Sequence, residues 1–260
     1  MNQPASRILI VLLNVMVTFG CTVKEERDGC PCRLFLDLTS VDLADQAPFI
    51  LSVFSSDGFE FGKIIDYHNY QDTCVIDVPR SDLNVVLWGG AEGYMDENGL
   101  TIPSGSGCPP VYIHSHCVKA EGEFVCDVVN LKKSYCILSV DLAQPNCVEG
   151  MRVRGNVAGF DKIGNPRPGD FQVYSKVDSA SVRARVFYIP RSDNTPLYLD
   201  VIESDGMVKT FPLHDYISAF EYDWAEYDLS DLNILLNYTE TGVSVTIKVW
   251  DEELVINVVI

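Results

Sequence analysis

The sequence predicts an all-β protein, built as two tandem β-sandwich domains with few short helices. Three observations carry that reading. Short apolar or alternating runs recur about every 8–15 residues between clusters of Gly, Pro, Asn, Asp and Ser, the rhythm of sandwich strands. Only one segment places its apolar residues at helical intervals. All nine cysteines lie at or before Cys147 in a chain of 260 residues, so any stapling is confined to the first part, as expected of two units. The division is expected near Asn130-Leu131, where Lys132-Lys133 breaks the pattern, giving sandwiches over 33–130 and 131–260.

Ahead of the first strand, residues 8–19 are apolar apart from Asn14 and Thr18 and follow a single basic residue, Arg7. This run of 12 residues is too short to cross about 30 Å of hydrocarbon and has the length of a signal-peptide core. Gly20-Cys21 follows, a small residue before a cysteine, as at the cut site of bacterial lipoprotein signals. A signal peptide over 1–20 and a tether over 21–32 are therefore expected, with acyl chains on Cys21. At about 0.8 kcal/mol per buried methylene, two or three long chains make a firm anchor. A plain cleaved signal, with Cys21 incidental, is the alternative reading of the same residues.

Residues 33–38 alternate, placing Leu34, Leu36 and Leu38 on one face of a half-buried strand. Further strands are expected at 49–54, 74–78, 83–88, 111–113 and 124–129, and in the second half at 135–142, 151–157, 182–189, 197–202 and 207–211. After Pro212, Leu213, Tyr216, Ile217 and Phe220 form one apolar stripe, the credible helix of the chain. It runs into an acidic and aromatic stretch over 221–228 that holds Tyr222, Trp224 and Tyr227. Residues 234–238 and 243–250 read as a hairpin around Thr239-Glu240-Thr241-Gly242. The last strand, 254–260, is apolar throughout except for Asn257 and has no polar tail. Such a strand either closes the protein's own sandwich or is offered to another subunit, where main-chain hydrogen bonds supply affinity. Leu254, Val255, Ile256, Val258, Val259 and Ile260 are its candidate exchange residues.

The balance of 19 basic and 37 acidic residues gives a net charge of −18. Removing residues 1–20 takes away Arg7 and no acid, leaving −19. That acidity argues against nucleic acid or anionic lipid as a partner, since both are polyanions. With Cys21 set aside for lipid, Cys30, Cys32, Cys74, Cys108, Cys117, Cys126, Cys136 and Cys147 remain, an even set in an exported chain. They are candidate disulfide cysteines whose pairing the sequence cannot choose. Some of them could instead be free and buried.

No nucleophile elbow, phosphate loop, dinucleotide fingerprint or calcium loop is present, and no pair of carboxylates stands out among the acids. On a strand His114 and His116 would share a face with Cys117 turned away, but the sequence offers them no third ligand. No catalytic residue, metal or cofactor is therefore expected, and the chain reads as a structural or binding protein.

Several of these stretches together resemble a known family, the fimbrillin-associated anchor proteins of type V fimbriae of Bacteroidales. They are Cys21 with its acidic leash, Cys30-Pro31 before the first strand, Leu83-Asn84-Val85-Val86-Leu87-Trp88-Gly89-Gly90, the helix start at Leu213, and Val245-Thr246-Ile247-Lys248-Val249-Trp250 near the C-terminus. Lys24-Glu25-Glu26 also resembles the signal that sends lipoproteins of these bacteria to the outer leaflet. The resemblance implies two transthyretin-like, Greek-key β-sandwich domains and no catalysis. It implies a minor lipoprotein subunit on the outer membrane, part of the fimbrium, that holds the shaft on the cell and limits its length. The partners implied are a shaft fimbrillin, docked by strand exchange in either direction, and the outer membrane through the lipid. The cysteine content is heavier than the family leads one to expect, so no disulfide pattern is carried over. The second expectation, of a different class, is a surface adhesin or glycan-binding module with Tyr222, Trp224 and Tyr227 as its platform.

Overall fold

The computed structural model describes residues 30–42, 48–143, 148–177, 184–192, 196–219, 222–239, 242–249 and 252–258. Cys21, Lys24, Glu25, Glu26, Cys147, Phe220, Val259 and Ile260 lie outside them.

The first sandwich pairs a three-stranded sheet, β4-β1-β9, with a five-stranded one, β10-β8-β5-β2-β3. In chain order its strands are β1 (Cys32–Asp37), β2 (Phe49–Ser55), β3 (Glu60–Ile65), β4 (Thr73–Val78), β5 (Asp82–Gly89), β8 (Tyr112–Lys119), β9 (Phe124–Val128) and β10 (Lys132–Lys133). Alternation fills the space between the sheets as the sequence leads one to expect. Leu34 and Leu36 of β1, followed by Leu38, meet Phe49, Leu51 and Val53 of β2 and Ile76 and Val78 of β4, all buried. The run 83–88 is apolar on both faces because both are covered. Leu83, Val85 and Leu87 enter this core, while Val86 and Trp88 enter a second one.

That second core lies in the second sandwich. One of its sheets is β14-β11-β17-β18-β19 and the other β16-β15-β12-β7-β6, with β13 paired to the free side of β12. The strands are β6 (Met95–Asp96), β7 (Gly99–Thr101), β11 (Tyr135–Leu142), β12 (Val148–Asp161), β13 (Pro166–Lys176), β14 (Arg185–Pro190), β15 (Leu197–Glu203), β16 (Val208–Pro212), β17 (Leu232–Thr239), β18 (Gly242–Val249) and β19 (Glu252–Val258). The expected helix is α1 (Leu213–Ala219), with Leu213 and Ile217 of the apolar stripe buried.

The expected boundary near residue 130 falls between β9 and β10, but two pieces cross it. The β6–β7 hairpin leaves the first sandwich to pair with β12 through Thr101↔Gly159 and Leu100↔Phe160. β10, after the boundary, returns to pair with β8. Gly159 makes the first crossing possible: its φ is +150°, and a β-carbon there would collide with the carbonyl oxygen of Leu100. Both halves open in the same way. β1 lies between antiparallel β4 and parallel β9, and β11 lies between antiparallel β14 and parallel β17.

Five strands were not expected: the short β6, β7 and β10, and the longer β3 and β13. β3 carries Gly62 and Lys63 on an exposed surface, which hides its alternation. β13 begins Pro-Arg-Pro-Gly and pairs only β12 among the named strands, an edge position where a missing backbone N–H is tolerated. Pro168 lies opposite Val157 at the register shift.

Candidate functional site

The expected strand-exchange segment lies in the chain's own sheet. β19 runs antiparallel to β18, with Leu254 opposite Ile247, Val255 opposite Thr246, Ile256 opposite Val245 and Val258 opposite Val243. Val245 and Ile247 are fully buried. β19 is the outermost strand of its sheet, so one side of its backbone pairs with no other strand among the described residues. Val255 is 54% exposed.

The disulfide framework is not formed among the described residues. Cys30, Cys32, Cys74, Cys108, Cys117, Cys126 and Cys136 are all free thiols. Strand register supplies a reason, since a disulfide needs Cα atoms about 4.4–6.8 Å apart and β-carbons that face each other. Cys74 and Cys126 lie on opposite sides of β1, beside Leu36 and Phe35, and on opposite faces of the sheet. Cys32 lies opposite Val78, and Cys117 opposite Asn84. Cys108 and Cys136 are packed in the second core. Burial raises the Cys136 thiol to about 12 and pushes the Cys108 thiol well above its ordinary range, so both behave as small apolar side chains.

The aromatic platform is dismantled by packing. Trp224 is 7% exposed, and Tyr222 donates its hydroxyl to the Ser230 carbonyl. The two rings meet edge to face with centroids 4.9 Å apart. Tyr227 alone of the three is well exposed, at 52%.

The most developed polar cluster joins β8 to β9. His114 and His116 share one face, as their spacing implies, and Asp127 of β9 lies between them. Its Oδ2 is 3.0 Å from His114 Nε2 and its Oδ1 is 2.7 Å from His116 Nδ1. Burial of Asp127 opposes its charge, but the hydrogen bonds from His114 and His116 outweigh it and hold the carboxyl below the usual carboxylate range. The backbone N–H of Asn130 reaches His114 Nδ1 at 3.2 Å. The Asn130 carbonyl lies 3.3 Å from the same nitrogen. Asp127 was invisible in the sequence because it lies eleven residues past His116 on a strand of the other sheet.

This cluster forms one wall of a cleft of about 720 Å³ at the junction of the sandwiches. The same cleft is lined by Ile163, Gly164 and Asn165 from the β12–β13 turn and by Asn130, Lys132, Arg191 and Tyr227. The cleft is held open by backbone ties across the junction: Ser134 N–H to the Val111 carbonyl at 2.9 Å and Arg191 N–H to the Ser134 carbonyl at 3.0 Å. Lys133 Nζ adds bonds of 2.8 Å to the Leu229 carbonyl and to Asp231. A second buried carboxylate, Asp200, stands on the far sheet, with Arg152 Nη2 at 2.8 Å, Arg154 Nε at 2.9 Å and Thr210 Oγ1 at 2.7 Å.

No protein-family model and no curated protein matches this chain. Solved structures do. The fimbrial anchor protein Mfa2 from Porphyromonas gingivalis superposes with a TM-score of 0.63 at 13% identity, covering 88% of this chain and 100% of that one. A candidate polysaccharide-binding protein from Bacteroides thetaiotaomicron gives 0.61 at 13% identity, over 86% of this chain and 98% of its own. A candidate adhesin from Bacteroides ovatus gives 0.61 at 12% identity, over 87% and 95%. This chain therefore has the two-sandwich fold shared by a fimbrial anchor and candidate adhesins of these bacteria, the fold that its resemblance to the type V anchor family implies.

Proposed function

We propose that this protein is an outer-membrane lipoprotein that holds a fimbrium on the cell surface and limits its length. The observation that carries the reading is the match to the fold of Mfa2, a fimbrial anchor protein, over 88% of this chain, whose residues 8–21 have the form of a lipoprotein signal. Cys21 bears the lipid, Lys24, Glu25 and Glu26 direct it to the outer leaflet, and the tether leads straight into β1. Among the described residues no helix is long and apolar enough to cross a membrane. The role is structural rather than enzymatic; the similar structures carry the names of fimbrial, adhesin and polysaccharide-binding proteins.

Docking uses β19. A strand at a sheet edge presents unpaired N–H and C=O groups that another chain can extend. Addition of a shaft fimbrillin's strand along the outside of β19 needs no unfolding, whereas donation of β19 requires all seven register pairs with β18 to separate.

Cys21→Ala in the native host tests the whole. Immunoblots of shaft protein on cells and in the medium should show fimbriae released, or grown long and shed. Fimbriae that stay cell-bound at normal length would overturn the anchoring role.

A further inference from the structure

We propose that the outer face of the β4-β1-β9 sheet rests on the lipid bilayer beside the tether, as a second and apolar contact with the membrane. The inference deepens the anchoring role and rests on the lipid at Cys21.

Strand register makes this face a continuous apolar block. Phe35 stands at its centre, with Val75 directly beside it on β4 and Cys126 directly beside it on β9. Phe124 and Val128 lie two residues to either side of Cys126, so alternation turns all three outward while Asp127 between them is buried. Phe124 is 67% exposed, and Val75 and Val128 are each 52% exposed. The Phe35 and Phe124 rings meet edge to face with centroids 6.5 Å apart. A sheet that packs one face on a core ordinarily turns polar side chains to water on the other. Five neighbouring apolar positions on the outer face therefore mark a contact.

What adjoins the block points to the occupant. Cys30 and Pro31 line the same groove of about 860 Å³ as Phe35, Phe124 and Cys126. Cys30 comes nine residues after Cys21, a reach of at most about 32 Å. Acyl chains on Cys21 thus keep this face close to the bilayer. A linker so short gives the face an effective concentration on the order of millimolar at the membrane. Burial of two phenylalanines and two valines then suffices for docking, although the same side chains would hold an untethered protein only weakly. Charge does not drive the contact. The groove carries Arg33 and Arg80 against Asp77 and Glu123, two groups of each sign. A molecule of net charge −18 gains nothing from anionic headgroups, so the attraction is apolar. A second copy of the chain is held to this face by no tether, whereas the bilayer is.

The block contains its own probe, the exposed Cys126 thiol, and the exposed Cys117 thiol of β8 serves as a control on the other sheet. The lipoprotein purified from the native host is placed on phosphatidylcholine vesicles and treated with a membrane-impermeant maleimide, and mass spectrometry of the peptides reads each thiol. The reference is the lipid-free chain of residues 22–260, which holds every described residue. On vesicles Cys126 should react at least about tenfold more slowly than in the reference, as for a docked state favoured about ten to one. Cys117 should react at the same rate in both. Phe124→Ser, at an exposed side chain, should restore the reactivity of Cys126 on vesicles and leave the thermal midpoint unchanged. Vesicle-bound protein whose Cys126 reacts as fast as in the reference would overturn the membrane contact and leave the lipid anchor standing. Equal slowing of Cys117 would overturn the choice of face. Protection of Cys126 in the reference itself, growing with protein concentration, would overturn the bilayer as occupant in favour of a second copy. Lipoprotein that fails to float with the vesicles would overturn the lipid at Cys21, and this inference with it.

Discussion

Asp127 and Asp200 keep their negative charges inside a folded protein for different reasons, and the difference can be measured. Asp127 depends on two imidazoles, one buried and one 59% exposed. Asp127→Ala strands both ring N–H groups and should cost about 3 kcal/mol in urea unfolding. Asp127→Asn should cost about 1 kcal/mol less, because the more exposed His116 can change tautomer to accept from the amide. Equal losses would mean that the pair does not adapt. Asp200 depends on Arg154, Thr210 and Arg152, whose hydrogen bonds outweigh its burial and lower its carboxyl below the usual range. A carboxyl lowered on folding adds stability above its unfolded value, near 3.9, and loses it as pH falls through the folded value. Asp200→Asn should therefore lower stability by about 2 kcal/mol from pH 5 to 7, with the gap to wild type closing below about pH 4. Chemical denaturation across that range checks it. At this scale the sequence was only half legible. The spacing of His114 and His116 told which face they share, but the partner between them depends on how two sheets are laid together. The cysteines show the same limit: their count suggested staples, and only strand register reveals that Cys74 and Cys126 lie on opposite faces of one sheet.

Strands were legible where alternation meets one core, as in β1 and β2, and where a continuous apolar run is covered twice, as in β5. β13 was not, because an edge strand can carry prolines that a propensity argument reads as loop. The same openness gives β19 its proposed use. Val255→Lys places a charge on the exposed side of an edge strand, a device that blocks strand addition without touching a core. The variant should keep its thermal midpoint within about 2 °C and lose co-purification with the shaft subunit by at least about tenfold. A truncation after Glu253 should lose docking too, and lose stability with it. Docking that survives Val255→Lys would set aside addition along β19 and favour a different surface.

Over the whole molecule, the expected division into two halves is crossed both in the sheets, by the β6–β7 hairpin and by β10, and in the cores. The pattern break at Lys132-Lys133 falls on β10, which pairs back with β8 of the first sandwich. It could not show that Val86, Trp88 and Ile113 of the first sandwich, with the β6–β7 hairpin between them in sequence, pack into the core of the second. Such sharing predicts one cooperative unit. Calorimetry should show a single unfolding transition, and Trp88→Ala, at a side chain 1% exposed, should lower it as a whole with a loss of about 3–5 kcal/mol. Two separate transitions, with only one displaced by the variant, would mean that the halves fold independently.

The position of β1 has a mechanical side. β1 is the first described strand and the central one of the three-stranded sheet, bonded to β4 on one side and β9 on the other. A pull applied through the tether runs along that strand. It must slide β1 past both neighbours together, against two ladders in parallel, and cannot open them one rung at a time as it would at a strand peeled sideways from an edge. A tether of the proposed kind entering there would resist sustained drag, while the edge of β19, where docking is proposed, lies late in the chain and on a different sheet.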